Sequence, residues 1–176
     1  MKYIALLRGI NVGGHKKIKM ADLRAAMTKA GFSEVQTYIQ SGNIVVESDL
    51  PKTELELQIK QLILTTFAFD VPVVVRTAAT WSSMMNTVPY DVVADLNQVY
   101  VVFLHETPSH NNLAAFTALR FAQDQFIVND QHIYIRYDES PSKSKLSLAV
   151  IEKNLNVSGT ARNWKTVKKM AELVED

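Results

Sequence analysis

Arg8-Gly9-Ile10-Asn11-Val12-Gly13-Gly14-His15-Lys16-Lys17 follows a run, Tyr3 to Arg8, that reads as a strand, and it precedes a helical pattern starting near Met20. Glycine lacks the Cβ that forbids positive φ, so Gly9, Gly13 and Gly14 let the backbone turn sharply and approach another group closely. Arg8, Asn11, Lys16 and Lys17 surround them with hydrogen-bond donors and positive charge. A strand, a glycine loop and a helix in that order form a frequent cradle for an anion. The same stretch also reads as a long connection that uses glycine for geometry alone.

Working outward, Tyr3 to Arg8 is apolar on both alternating faces, as in a central strand covered on both sides. Leu23, Ala26, Met27 and Ala30 recur at helical spacing, and Gly31-Phe32 reads as a helix stop. Val35 to Gln40 and Ile44 to Glu47 read as strands joined by a tight turn at Ser41-Gly42, flanked by Asn43. Ser48 or Asp49 is expected to cap the next helix, whose stripe is Leu55, Ile59, Leu62, Ile63 and Phe67. Val71 to Arg76 is the fourth strand. The order is that of a ferredoxin-like βαββαβ unit.

Residues 78–97 read as a connector with one short helix, and the pattern then begins again. Val99 to Leu104 is doubly apolar like the first strand, and Asn112 to Phe121 is expected to be helical. Phe126 to Val128 and Ile133 to Tyr137 are strands across Asn129-Asp130-Gln131. Leu146 to Leu155 is a helix, Val157 to Ala161 a short strand, and Asn163 caps a terminal helix. The expected fold is α+β, with two tandem ferredoxin-like halves packed together: residues 1–77, the connector 78–97, and residues 98–176.

The composition narrows the function classes. Nineteen basic against eighteen acidic residues give a net charge of +1, so strong nonspecific DNA binding is not expected. No cysteine is present, which removes thiolate nucleophiles and Cys-based zinc sites. His15, His105, His110 and His132 are scattered without ligand spacing, so neither metal nor cofactor is expected. No apolar run approaches a membrane span, and the expected location is cytoplasmic.

In a βαββαβ unit the end of the first strand and the turn of the hairpin share one sheet edge. This places Arg8, Asn11, Gly13, Gly14 and Lys16 beside Tyr38, Ser41 and Asn43. The same argument groups Ser144 and Lys145 with Arg162 and Asn163, and the two edges are expected to combine in one site. Taken singly, Ser41-Gly42-Asn43 is ordinary turn chemistry and Ser142 to Lys145 a solvated loop.

Arg8 to Gly14, Thr37 to Asn43, Ser144-Lys145-Leu146 and Thr160 to Val167 together resemble a bacterial family known as domain of unknown function 1697. Thr87-Val88-Pro89-Tyr90 departs from the Asn-Pro-Phe-like segment expected of that family. The resemblance implies the tandem α+β architecture and no particular activity. Neither a Walker loop nor a dinucleotide fingerprint is present. The expected function is binding of an anionic, phosphate-bearing small molecule or nucleotide at the glycine loop. An enzyme acting on such a ligand and a non-catalytic interaction protein are the alternatives.

Overall fold

The computed structural model describes residues 1–176. Its first elements are β1 (Lys2–Leu7), α1 (Met20–Lys29), β2 (Ser33–Tyr38), β3 (Asn43–Glu47), α2 (Lys52–Phe67), β4 (Val73–Thr77) and α3 (Ala78–Asn86). The order continues with β5 (Val99–Leu104), α4 (His110–Thr117), β6 (Gln125–Asn129), β7 (His132–Arg136), α5 (Leu148–Leu155), β8 (Gly159–Asn163) and α6 (Trp164–Glu175). The protein is α+β, with two four-stranded sheets in which all neighbours are antiparallel. No helix is long and apolar enough to cross a membrane.

The chain divides into two compact units, Met1–Ser83 with Lys169–Asp176, and Met84–Lys168. Both divisions fall inside helices, one in α3 and one in α6.

In the first unit the strand order is β2-β3-β1-β4. Tyr3, Ala5 and Leu7 of β1 join Leu23 and Met27 of α1 and Leu55, Ile59 and Ile63 of α2 in one core. Ile4 and Leu6, pointing the other way, are equally buried, which is why β1 carries no polar alternation. α1 stops by the mechanism its glycine suggests: Gly31 takes φ 94°, and the Phe32 and Gly31 amides donate to Met27 and Thr28 carbonyls at 3.1 and 3.0 Å. The start of α2 differs from the expectation. Ser48 Oγ accepts from the Leu50 amide at 3.1 Å, and the helix begins after Pro51 without a side-chain cap.

The second unit has the order β6-β7-β5-β8, with Val102 and Leu104 packed against Phe116 of α4 and Ile151 and Leu155 of α5. α4 ends at Thr117, short of Phe121, because the chain turns to bring Phe121 onto Phe116 and Phe126, whose ring centres lie 4.7 Å apart. α5 begins at Leu148, two residues later than expected. Ser147 caps it by accepting from the Val150 amide, and buried Leu146 precedes it in extended chain.

Candidate functional site

The glycine loop is residues 8–19, and its base is built by Asn11. Asn11 takes φ 54°, which asparagine tolerates better than most residues. Its Nδ2 donates to the carbonyls of Ile18 (2.9 Å) and Gln40 (2.7 Å), and its Oδ1 accepts from the Ile18 amide at 2.9 Å. One side chain thus closes the loop on itself and fastens it to the β2–β3 turn. Gly13 and Gly14, at φ 58° and 77°, form the tip of a short hairpin in which the His15 amide donates to the Val12 carbonyl. Lys16 Nζ donates to the Asp70 carbonyl at 2.6 Å, anchoring the returning arm near β4.

The facing turn approaches so closely that glycine is required. A Cβ on Gly42 would meet Ile10 Cδ1 and Leu7 Cβ at 2.7 Å, and the Gly42 carbonyl accepts from the Leu7 amide. Asn43 is fully buried, and its Nδ2 donates to the Tyr38 carbonyl and to Ser41 Oγ. The loop end and the hairpin turn therefore do meet at one sheet edge. Much of the polarity there, however, is used to hold the backbone.

A groove of about 570 Å³ opens beside this loop. Asn11, Gly14, Lys17, Lys19, Asp22 and Gln40 contribute polar groups, while Ile18 and Phe67 contribute apolar surface. Lys17 and Lys19 are exposed. The start of α1 lies on this wall with no side-chain cap at Lys19, and it brings the positive end of the helix dipole there. Lys17, Lys19, Asp22, Gln40 and Phe67 were not singled out as ligand residues by the sequence, although Lys17 ends the quoted stretch. The signal that could have found Lys19 and Asp22 is their position at the foot of a helix after a glycine turn, whereas Gln40, in the β2–β3 turn, and Phe67, at the end of α2, reach the groove only through the fold.

The second cluster has a different character. Ser144 Oγ donates to the Asp124 carboxylate and accepts from the Leu146 amide at 2.8 Å. Asp124 also accepts from the Asp138 amide, and Lys143 is paired with Glu139. A small hollow of about 120 Å³ there is lined by three carboxylates, Asp124, Asp138 and Glu139, against the one cation Lys143, a balance that disfavours an anion. Lys145 is exposed. Asn163 Oδ1 accepts from the Thr166 amide at 2.9 Å, the cap expected of it.

Arg162 is buried within β8, donating to Thr160 Oγ1 at 2.7 Å and to the Ala161 carbonyl at 2.8 Å. Burial pushes its pKa down to about 10. Arg76 is its counterpart. It occupies the fourth position of β4 as Arg162 does of β8, it is also buried, and its guanidinium donates to the Val75 carbonyl. Arg76 lies opposite Ile4, and Arg162 opposite Val101, each the third residue of its strand.

Among solved structures, the chain is similar to the conserved bacterial protein SP0830 from Streptococcus pneumoniae. The two share 26% identity over 98% of each chain, with a TM-score of 0.80. No curated protein matches the sequence. The family described as "Protein of unknown function (DUF1697)" matches residues 1–134, a range that takes in the glycine loop and the Thr37–Asn43 turn, and the chain belongs to that family.

Proposed function

We propose that the first unit binds a small molecule that joins an anionic, phosphate-bearing group to an apolar or ring portion, as a nucleotide does. The observation that carries this reading is the groove of about 570 Å³, which sets the Lys17 and Lys19 amines and the bare turn of Gly14 around half-buried Phe67. Lysine acts as a point charge toward phosphate, backbone amides at a glycine turn and a helix start add donors, and an aromatic edge accepts the ring. Asp22 and Gln40 suit hydroxyl or amino groups between the two ends.

The lining supports binding over turnover. It offers amines, amides, one carboxylate and an aromatic ring, but no hydroxyl nucleophile next to a base. Ser41 is occupied with Asn43, and His15 sits on the exposed hairpin tip. In this reading each unit is a ferredoxin-like half, a view supported by the element order and by the antiparallel strand orders β2-β3-β1-β4 and β6-β7-β5-β8. Intracellular nucleotides and sugar phosphates are the natural class of ligand.

Calorimetric titration with nucleoside mono- and diphosphates, sugar phosphates and pyrophosphate tests the proposal. At least one is expected to bind, and combined Lys17→Ala and Lys19→Ala substitution is expected to weaken it by about tenfold or more, the scale of a charged hydrogen bond. Both lysines are exposed, so thermal stability should not change. Unchanged affinity in the double variant would remove the groove from consideration.

A further inference from the structure

Four strands stand at sheet edges, β2 and β4 in the first unit and β6 and β8 in the second. An edge strand presents backbone N–H and C=O groups on which another strand can add. Three of the four carry a device against this. The β2 register breaks between Ser33 and Gln36, where charged Glu34 takes φ 50°. On β4 the outward Val75 amide donates to the Glu56 carboxylate of α2 at 2.8 Å. On β8 the Gly159 amide donates to the Glu152 carboxylate of α5 at 3.4 Å.

β6 has none of these. Its register with β7 is unbroken from Gln125 to Asn129. Gln125-Phe126-Ile127-Val128-Asn129 contains no charge and no proline, and its central Ile127 is 48% exposed. We propose that β6 is an interface between two copies of this chain, pairing antiparallel with the same strand about a two-fold axis at Ile127.

The strand's own pattern suits a second copy as the occupant. Asn129 and His132 close a two-residue turn at Asp130-Gln131, which makes them a hydrogen-bonded pair. Alternation then directs the backbone groups of Gln125, Ile127 and Asn129 toward β7 and those of Phe126 and Val128 outward. About an axis at Ile127, Phe126 meets Val128 of the partner subunit and Val128 meets Phe126 of the partner subunit. Each pair exchanges backbone hydrogen bonds. The two Ile127 side chains become a non-hydrogen-bonded pair, the closest side-chain approach a sheet offers. Gln125 lies opposite Asn129 of the partner subunit, amide against amide, and within the strand no like charges meet; Asp124 and Asp130, which flank it, are engaged by Ser144 and Thr107 of their own chain. Such an interface is isologous and closes at two copies.

The absence of cysteine permits a direct test. In an Ile127→Cys chain the two thiols would lie on residues whose Cα atoms are about 4.5 Å apart, within disulfide reach. Air oxidation at about ten micromolar protein is expected to yield covalent dimer. A Leu64→Cys control on α2, where Leu64 is 41% exposed, should stay largely monomeric. Sedimentation of the unmodified chain should show a concentration-dependent dimer, weakened at least tenfold by Ile127→Lys with the melting curve unchanged. Ile127→Cys cross-linking no faster than Leu64→Cys would overturn the proposal. So would an unmodified chain that sediments as a monomer up to about half a millimolar.

Discussion

The strand that opens each unit reaches its first helix by a different route. In the second unit residues 105–109 suffice, and Ser109 caps α4 by accepting from the Asn112 amide. In the first unit the same junction takes residues 8–19, with five positive φ values, a side-chain clamp and a lysine anchor. The short version shows that a strand, a helix and a sheet of this kind do not require the long one. The extra length is nonetheless not loose, because Ile10 and Ile18 are buried in the first unit's core. The loop is held firmly at its base and left bare at its tip, an arrangement suited to presenting backbone donors.

The strongest way to break this contrast is Gly42→Ala. It would force a Cβ against Leu7 and Ile10 at a position with φ 82°, and we expect a loss of about 2–4 kcal/mol in urea unfolding. Asp130→Ala, in the corresponding turn of the second unit, should cost only about 1 kcal/mol by the same measurement, since the turn is exposed and the change removes one hydrogen bond from Thr107 and leaves alanine at φ 52° without a clash. Equal losses would mean that the loop does not bear on its turn.

Asn11→Ala comes next. It removes the donors to Ile18 and Gln40 and leaves alanine at φ 54°, for an expected cost of about 2 kcal/mol. Ser109→Ala, the comparable change at the short junction, removes one cap and should cost about 1 kcal/mol. Amide exchange across residues 8–19 should accelerate in the first variant only.

A smaller difference separates the units in alkali. Burial pushes the Tyr90 and Tyr137 hydroxyls, both in the second unit, up to about 12. The unfolded chain gives up these protons first, at about pH 10. Their contribution is therefore fully present below pH 10 and is lost as the pH rises toward 12. Tyr137→Phe should flatten the fall in stability across that window, measured by denaturant titration at successive pH values. An unchanged slope would show that this hydroxyl is not held in its neutral form by the fold.

What the sequence made legible was whatever repeats along the chain. Doubly apolar runs marked β1 and β5, the Leu55–Phe67 stripe marked α2, and the topology brought Asn11 to the Ser41-Gly42 turn. What stayed hidden depends on register. Arg76 and Arg162 are equivalent only once β4 and β8 are laid against β1 and β5, and nothing around them in the sequence is alike. Asn43 and His132 hide in the same way, opposite Leu6 and Phe103 at the fifth position of their partner strands. Arg162, expected in a ligand site, is buried and donates to Thr160 and Ala161 of its own strand. The Ser144 hydroxyl lay beyond local inference too, because the carboxylate that holds it, Asp124, is twenty residues away. The family match ends at residue 134, before Ser144-Lys145 and Arg162-Asn163 are reached.

The division of the chain has a consequence for synthesis. Residues 169–176 belong to the first unit, yet they are made after all of the second. At about 5–20 residues per second, roughly 4–17 s separate the appearance of Ser83 from that of Lys169. During that interval the opening sheet and its helices must persist without their final segment, while the later sheet is still being built. The part of this protein that begins first is thus among the last to be finished, and its early form is the one a chaperone would meet.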